Sequence, residues 1–191
     1  QGYYDFSRRH IIEAAEGILR RLKTEYLDIL LLHRPDALME PEETAEALQS
    51  LLDAGKVRYF GVSNHNPMQI ELLQKHFGQR LLFNQLQLSV AHTPLVDSGM
   101  AVNMNTDQSV DRTGGTLEYC RLKEITVQAW SPFQRGFFEG TFLGDSLNYP
   151  ELNEKLSALA EKYSVTPAAI AVAWLTRHPA GMQVGLGSTR D

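Results

Sequence analysis

The sequence has very little cysteine and no long apolar run, and both absences exclude classes of protein. Its one cysteine, Cys120, rules out an intrachain disulfide and a site built from several thiolates. We predict that Cys120 is a helix residue packed in the core. No apolar run reaches the ~20 residues of a membrane-spanning helix, and the polar beginning QGYYDFSRRH is unlike a signal peptide. We therefore expect a cytoplasmic protein without a membrane partner.

An excess of positive charge and several common motifs are also lacking. The formal net charge is -5, which argues against a nucleic-acid partner, because phosphate binding needs clustered Lys and Arg side chains. No GxGxxG follows a strand, and GxxxxGKS/T and HExxH are absent, so a Rossmann site and a P-loop are not indicated. The histidines are scattered, and we expect no metal site. The segment GVSN around Ser63 lacks the second glycine of a nucleophile elbow.

Short apolar segments alternate with amphipathic segments along the whole chain. Ser7 and Thr166 are predicted helix caps, and Pro41 and Pro67 are predicted to open helices. Strict alternation of strands and helices predicts right-handed βαβ units and a parallel sheet, in a single domain over residues 1–191. The predicted strands are Tyr26–Leu32, Val57–Val62, Leu81–Val90, the segment ITVQAWSP and the segment beginning at Met182. Two stretches, Asp97–Gly115 and Phe137–Tyr149, have no clear period and are predicted to be irregular.

Polar residues follow the predicted strands at their carboxyl ends. The first example is LDILLLHRPD, where a buried strand ends in His33. This imidazole is either a structural group bonded to a nearby carbonyl or a group that orients a ligand. Carboxyl ends of parallel strands form the active site of a TIM barrel and the ligand crevice of open α/β sheets. The other residues in these places are Ser63, Asn64 and His65, then Gln85 and Gln87, then Trp130, Ser131 and Gln134, and last Gly187, Ser188, Thr189 and Arg190.

Five segments, in this order, resemble the aldo-keto reductases: YLDILLLHRPD, GKVRYFGVSNH, FNQLQLSV, QAWSPFQRG and GSTR. Together they span nearly the whole chain, and the first is similar to the bacterial NADP-dependent oxidoreductase branch. The resemblance implies a TIM (β/α)8 barrel, of which this chain covers about the last five strands. It also implies an oxidoreductase that uses NADPH to reduce small aldehydes and ketones to alcohols.

The resemblance assigns roles to individual residues. His33 matches the catalytic His that orients the carbonyl and aids proton transfer. Ser63, Asn64 and Gln85 match the contacts to the nicotinamide carboxamide, although loop capping or a satisfied buried amide would also explain them. Trp130 matches the aromatic residue that stacks on the nicotinamide, and core packing is its alternative. The pyrophosphate loop corresponds to Ser131, Pro132, Phe133, Gln134 and Gly136, and the 2′-phosphate cradle to Gly187, Ser188, Thr189 and Arg190.

The last of these residues, Arg190, favours NADPH over NADH, because a guanidinium fork suits a phosphate. Alone, GSTR is also compatible with an ordinary turn. The cofactor expected from the resemblance is therefore NADPH or NADP+.

The sequence departs from the family pattern in its catalytic residues. The family's Asp, Tyr and Lys precede the segment that matches Gln1, and neither Tyr3 nor Tyr4 has the sequence context of the family tyrosine. We therefore expect a fragment, or the ordered part of a longer chain, that does not reduce carbonyls alone. The alternative is a non-catalytic nucleotide-binding protein that resembles the potassium-channel β-subunits. The substrate and the oligomeric state are not readable from the sequence.

Overall fold

A computed structural model describes residues 4–137 and 139–187 of the chain. Helices and strands alternate along it, as the sequence predicts. In chain order the elements are α1 (Arg8–Leu22), β1 (Leu27–Leu32), α2 (Pro41–Asp53), β2 (Val57–Ser63), α3 (Pro67–Gln74), β3 (Leu81–Gln87), α4 (Pro94–Met100), a 3-10 helix (Asp107–Ser109), α5 (Thr116–Leu122), β4 (Thr126–Trp130), α6 (Pro150–Tyr163), α7 (Pro167–Thr176) and β5 (Gln183–Val184).

The helix starts follow from side chains that satisfy unpaired backbone N–H groups. The Ser7 hydroxyl accepts from the His10 N–H at 3.3 Å, and the Thr166 hydroxyl accepts from the Ala169 N–H at 3.2 Å. Both predicted caps are confirmed. Asn66 begins α3 with a reciprocal capping box, in which its side chain and that of Gln69 each bond the other's backbone.

The sheet has the strand order β1-β2-β3-β4-β5. β1 and β2 are parallel, with Leu32 opposite Val62, and β4 and β5 are parallel, with Ala129 opposite Val184. Sequential strands that are parallel and joined by helices form the predicted α/β architecture, which corresponds to a part of a TIM barrel. Each strand therefore ends at the same edge of the sheet as its parallel neighbour. The candidate site residues come after the strands at this edge.

The chain divides into two compact units, residues 1–84 with 122–125 and residues 85–121 with 126–191. The division passes through β3, after Asn84. The expected single domain over residues 1–191 stays a prediction. Each unit has buried apolar side chains of its own.

In the first unit α2 packs against α1, α3 and β2. Phe60 and Val62 of β2 are buried there with Leu48 of α2. Between them β2 carries Gly61, where a Cβ atom would lie 2.6 Å from the Phe83 carbonyl oxygen. Glycine at this position lets β2 and its neighbour approach closely.

In the second unit α6 packs against α7, and α7 packs against β5. Phe142, Leu156 and Ala171 form a buried cluster. Cys120 of α5 is also fully buried, which confirms its predicted place as a core residue of a helix. Apolar packing is the main stabilising contribution to this unit.

Two sequence predictions need correction. The stretch Asp97–Gly115, expected to be irregular, contains the end of α4 and a 3-10 helix. Only Leu95 of α4 is buried, so a short helix with one buried residue shows no apolar period. The third strand was predicted to reach Val90 but ends at Gln87. Among the described residues, no helix has the length and apolar character to cross a membrane.

Candidate active site

His33 directly follows β1, at the carboxyl end of the strand. The imidazole is exposed, and within residues 4–137 and 139–187 no hydrogen bond or ion pair joins its side chain to another residue. It borders a largely apolar cavity of about 290 Å³ between α1 and β1, whose rim also carries Tyr4, His10 and Arg34. The described structure therefore offers no carbonyl partner for this ring. Its catalytic role stays a prediction.

Ser63 ends β2, and Asn64 begins the turn after it in a strained backbone conformation. Asn64 has φ +59°, in the left-handed region that costs energy for residues with a Cβ. Its side-chain amide donates to the Ser63 hydroxyl at 2.9 Å. Ser63 is buried, and Leu32 pairs with Val62 across β1 and β2, so His33 and Ser63 follow paired residues of neighbouring strands.

His65 closes this turn, and the sequence analysis assigned it no role. Only 3% of the residue is exposed, and its Nδ1 lies 2.9 Å from the Ser63 carbonyl oxygen. Burial lowers the pKa of His65 below its usual value, and the bond to Ser63 partly opposes this effect. A carbonyl oxygen only accepts, so the neutral ring carries its proton on Nδ1. The signal in the sequence was a histidine two residues after a strand end.

Asn84 and Phe6 hold His65 from two other sides. The Asn84 amide, fully buried in β3, donates to the His65 carbonyl oxygen at 2.9 Å. The Phe6 ring is stacked on the imidazole with a centroid separation of 6.1 Å and an interplanar angle of 5°. The first unit thus assembles Ser63 and Asn64 into one turn and supports it with buried side chains.

In the second unit a row of side-chain amides crosses three strands. Gln85 of β3 donates to the Gln128 side chain at 3.4 Å, and Gln128 of β4 donates to the Gln183 side chain at 2.8 Å. Gln87 lies two residues after Gln85 and therefore on the same face of β3. Its Nε2 is buried and has no hydrogen-bond partner among the described residues.

Trp130 is the last residue of β4. Its ring and the Phe137 ring are nearly perpendicular, with a centroid separation of 6.1 Å, and its carbonyl oxygen accepts from the Leu88 N–H at 3.4 Å. Ser131 follows with φ +52°. The chain therefore turns sharply after β4, as it does after β2. Trp130 is only partly buried, so core packing does not account for its whole surface.

The loop after β4, which we define as residues 131–142 without residue 138, is closed by its own hydrogen bonds. The Gln134 N–H donates to the Ser131 carbonyl at 3.1 Å, and the Arg135 N–H donates to the Gly140 carbonyl at 3.0 Å. These two amides are therefore engaged within the loop, and Pro132 has no amide N–H to offer. The predicted role of this loop in holding a pyrophosphate stays a prediction.

Charged groups in the same loop have defined partners or neighbours. The Arg135 guanidinium lies 3.2 Å from an Asp145 carboxylate oxygen, and hydrogen bonds from Asn148 hold the pKa of Asp145 below its usual value. A Cβ at Gly136 would meet the Glu139 carboxylate. The loop thus has one paired cation and one nearby anion around its glycine.

The remaining predicted residues lie at the carboxyl end of the chain. Gly187 is exposed and has φ +64°, a conformation that favours glycine. Ser188, Thr189 and Arg190 lie outside the described residues. In the part of the chain that the structure describes, no group of three or more His, Cys, Asp or Glu residues could hold a metal ion.

Comparison with known proteins identifies the family. The model of the aldo/keto reductase family matches residues 3–190. The chain therefore belongs to the aldo/keto reductase family.

Individual relatives show the same likeness over about half of their length. A 6-dehydroglucose reductase of Agrobacterium fabrum is 35% identical over 97% of this chain and 55% of its own length. A probable voltage-gated potassium channel subunit beta of Arabidopsis thaliana is 28% identical over 97% of this chain and 59% of its own. An aldo/keto reductase from Klebsiella pneumoniae, solved in complex with NADP and acetate, aligns with a TM-score of 0.66 and 28% identity over 90% of this chain and 52% of that one. The chain thus spans about half the length of these proteins.

Proposed function

We propose that this chain carries the nicotinamide-binding and carbonyl-orienting part of an NADPH-dependent carbonyl reductase. The observation that carries the proposal is the end of β2, where Ser63 closes a parallel strand and Asn64 follows it in a strained conformation. Strained residues cluster at ligand sites, where the surrounding structure maintains them. The NADP complex of the Klebsiella pneumoniae relative supports the same cofactor.

The residues that are present fit a nicotinamide. A carboxamide has both donors and acceptors, and in the first unit the Ser63 hydroxyl and the Asn64 side-chain amide can supply partners for both. In the second unit the Gln85 side-chain amide offers the same two kinds of group. The buried Gln87 Nε2 needs an acceptor that the described residues do not provide. A carbonyl oxygen of a bound ligand would supply it. Trp130 offers a partly exposed aromatic face for stacking.

When bound, NADPH would supply the hydride that a carbonyl reduction needs. The exposed His33 imidazole bonds the carbonyl oxygen and orients it. The proton for that oxygen would come from the hydroxyl of the family's Tyr, whose pKa the family's Lys, paired with its Asp, would lower. These three residues precede the segment of the family that matches Gln1. We therefore propose that the 191-residue chain binds the cofactor but does not turn it over.

The test is NADPH binding by the purified 191-residue chain. Binding is detected by energy transfer from tryptophan to the reduced nicotinamide. We expect Trp130→Phe to reduce the energy-transfer signal, of which Trp174 keeps a part, and to weaken the affinity measured from the remaining signal. Trp174→Phe is the matched control, because Trp174 lies on α7 with 44% of its surface exposed. Absence of binding would overturn the proposal. NADPH oxidation with an aldehyde at ordinary enzymatic rates would overturn the proposed need for the family's Tyr, Lys and Asp.

A second candidate is a regulatory protein that binds the nucleotide without catalysis. The likeness to the Arabidopsis thaliana protein named as a potassium channel subunit favours it. The two candidate functions can be distinguished by assaying a longer protein that contains the family's Asp, Tyr and Lys. Steady-state carbonyl reduction supports the enzyme, and tight NADPH binding without turnover supports the regulatory protein. For the enzyme we propose a cytoplasmic location and a small carbonyl compound as substrate.

A further inference from the structure

We propose that His65 is a positioning residue, which holds the Ser63–Asn64 turn in its ligand-binding shape through a hydrogen bond from Nδ1, and that Phe6 couples this turn to the loop that follows His33. This inference rests on the proposed function of Ser63 and Asn64. It concerns residues for which the family resemblance gives no role.

The turn needs support because Asn64 has a left-handed backbone. Such a conformation persists only where the neighbouring residues fix it. The bond from His65 Nδ1 to the Ser63 carbonyl oxygen, 2.9 Å long, spans Asn64 completely. It joins the residue before Asn64 to the residue after it. A change of the Asn64 torsion angles would therefore break a buried hydrogen bond.

The backbone of His65 is fixed as well as its ring. Asn84 donates to the His65 carbonyl oxygen at 2.9 Å from a fully buried position. Asn66, the next residue, begins α3 with its capping box. The turn is therefore held on both sides of Asn64. Ser63 and Asn64 keep their mutual geometry, with the Asn64 amide 2.9 Å from the Ser63 hydroxyl.

Phe6 connects this arrangement to the other candidate loop of the same unit. Its ring is nearly parallel to the imidazole of His65. Its N–H donates to the Asp36 carboxylate at 3.0 Å, and its carbonyl oxygen accepts from the buried Thr44 hydroxyl at 3.0 Å. Asp36 lies three residues after His33 in the loop that follows β1. One aromatic residue thus contacts both the loop of His33 and the turn of Ser63 and Asn64.

The first test separates hydrogen bonding from packing at position 65. In His65→Asn the side-chain amide can replace Nδ1 as donor but leaves part of the ring volume empty. In His65→Phe the ring and its stacking remain, but the donor is lost. We expect His65→Phe to raise the NADPH dissociation constant about tenfold, the loss of roughly one net hydrogen bond, and His65→Asn to stay closer to the wild type. Equal affinities for the two variants, or tighter binding by His65→Phe, would overturn the proposal.

A second readout does not depend on the cofactor. The ¹⁵N chemical shifts of His65 at pH 7 should show a neutral ring with its proton on Nδ1. A neutral ring with its proton on Nε2 would contradict the proposal. If the wild-type chain binds no NADPH, the proposed function fails, and the positioning role is decided by amide exchange at residues 64–66. We expect faster exchange there in His65→Phe than in the wild type and in His65→Asn, and no difference would overturn it.

The coupling through Phe6 has its own control. Phe6→Leu removes the aromatic face but leaves an apolar residue, and Phe77→Leu makes the same change at another buried position of the first unit. Phe77 packs edge-on against Phe60 and has no ring contact with His65 among the described contacts. We expect only Phe6→Leu to shift the imidazole signals of both His65 and His33. Equal shifts in both variants, or an unchanged His33 signal in Phe6→Leu, would overturn the coupling.

Discussion

The turn after β2 and the loop after β4 begin in the same way but are held by different means. Each has a residue other than glycine in the left-handed conformation directly after a parallel strand, Asn64 with φ +59° and Ser131 with φ +52°. The first turn is braced by buried side chains that are distant in the sequence, such as Phe6 and Asn84. The loop after β4 is closed by hydrogen bonds between its own backbone groups, is anchored by Phe142, and receives one distant bond, from the Ser89 hydroxyl to the Gln134 carbonyl oxygen at 2.6 Å.

The difference shows that a left-handed residue after a strand can be held in place by two kinds of contact. A turn held by distant residues forms only when its unit folds, so its shape reports on tertiary structure. The loop after β4 depends on bonds within itself as well as on Phe142 and the Ser89 hydroxyl. Substitutions can therefore separate the two regions, because each should respond to changes that leave the other unaffected.

The largest effect is expected for the anchor of the loop after β4. Phe142→Ala removes a fully buried ring from the cluster with Leu156 and Ala171, and we expect a loss of about 3–5 kcal/mol in the free energy of unfolding. Tryptophan fluorescence measures this change in the second unit, because Trp130 and Trp174 both belong to it.

The control for Phe142→Ala is Leu147→Ala, at a position that is 88% exposed. Its effect should stay within about 0.5 kcal/mol. An equal loss in both variants would contradict the assigned anchor.

The next effect concerns the support of the turn after β2. Asn84→Ala leaves the buried His65 carbonyl oxygen without the 2.9 Å bond that it now accepts, and we expect a loss of about 1–3 kcal/mol. Amide exchange resolved by peptide should show faster opening at residues 57–66 and little change in the loop after β4. Met68→Ala, at an exposed position of α3, is the control, and a similar effect there would refute the specific role of Asn84.

A pH dependence should distinguish the same two regions. Burial lowers the pKa of His65 below 6.5 in the folded state, so the unfolded chain takes up a proton first as the pH falls through 6.5. The stability of the turn is therefore present above this pH and decreases below it, by at most about 1.4 kcal/mol per pH unit. The loop after β4 contains no histidine. Corrected amide exchange should reveal the decrease at residues 63–66, and His65→Asn should remove it; a decrease that persists in this variant would count against His65.

The smallest effect is expected where glycine replaces the strained residues. Ser131→Gly should raise the free energy of unfolding by less than about 1 kcal/mol, because relief of the left-handed strain exceeds the added entropy of the unfolded chain. Asn64→Gly should gain less, because Asn tolerates this conformation better than Ser. Gly55→Ala, at φ +67°, should have the opposite sign. A loss of stability in Ser131→Gly would indicate that its side chain stabilises the loop.

The element order was predictable because buried segments differ clearly from exposed ones in this sequence. Ser7 and Thr166 cap helices for reasons that are local in sequence, and the caps were predicted correctly. The helix α4 was missed because its single buried residue, Leu95, gives no repeat. Local patterns thus identified the elements that carry several buried residues, whereas short elements depend on contacts that only the fold supplies.

The candidate site was predictable only in part. The positions of Ser63, Asn64 and Trp130 at strand ends followed from the alternation of strands and helices. The role of His65 did not follow from the sequence, because the Phe6 ring that stacks on it lies 59 residues earlier in the chain. The engagement of the Gln134 and Arg135 amides within their loop was also unpredictable. Motifs locate a site along the chain, but the support of the site comes from residues with no motif.

The buried thiol of Cys120 can report how often the structure of the second unit opens. A thiol reagent can reach this side chain only during the intervals in which the surrounding structure is open. The sequence has no other cysteine, so the labelling rate follows a single site. That rate measures how often the structure around α5 opens, and no cysteine has to be introduced to measure it.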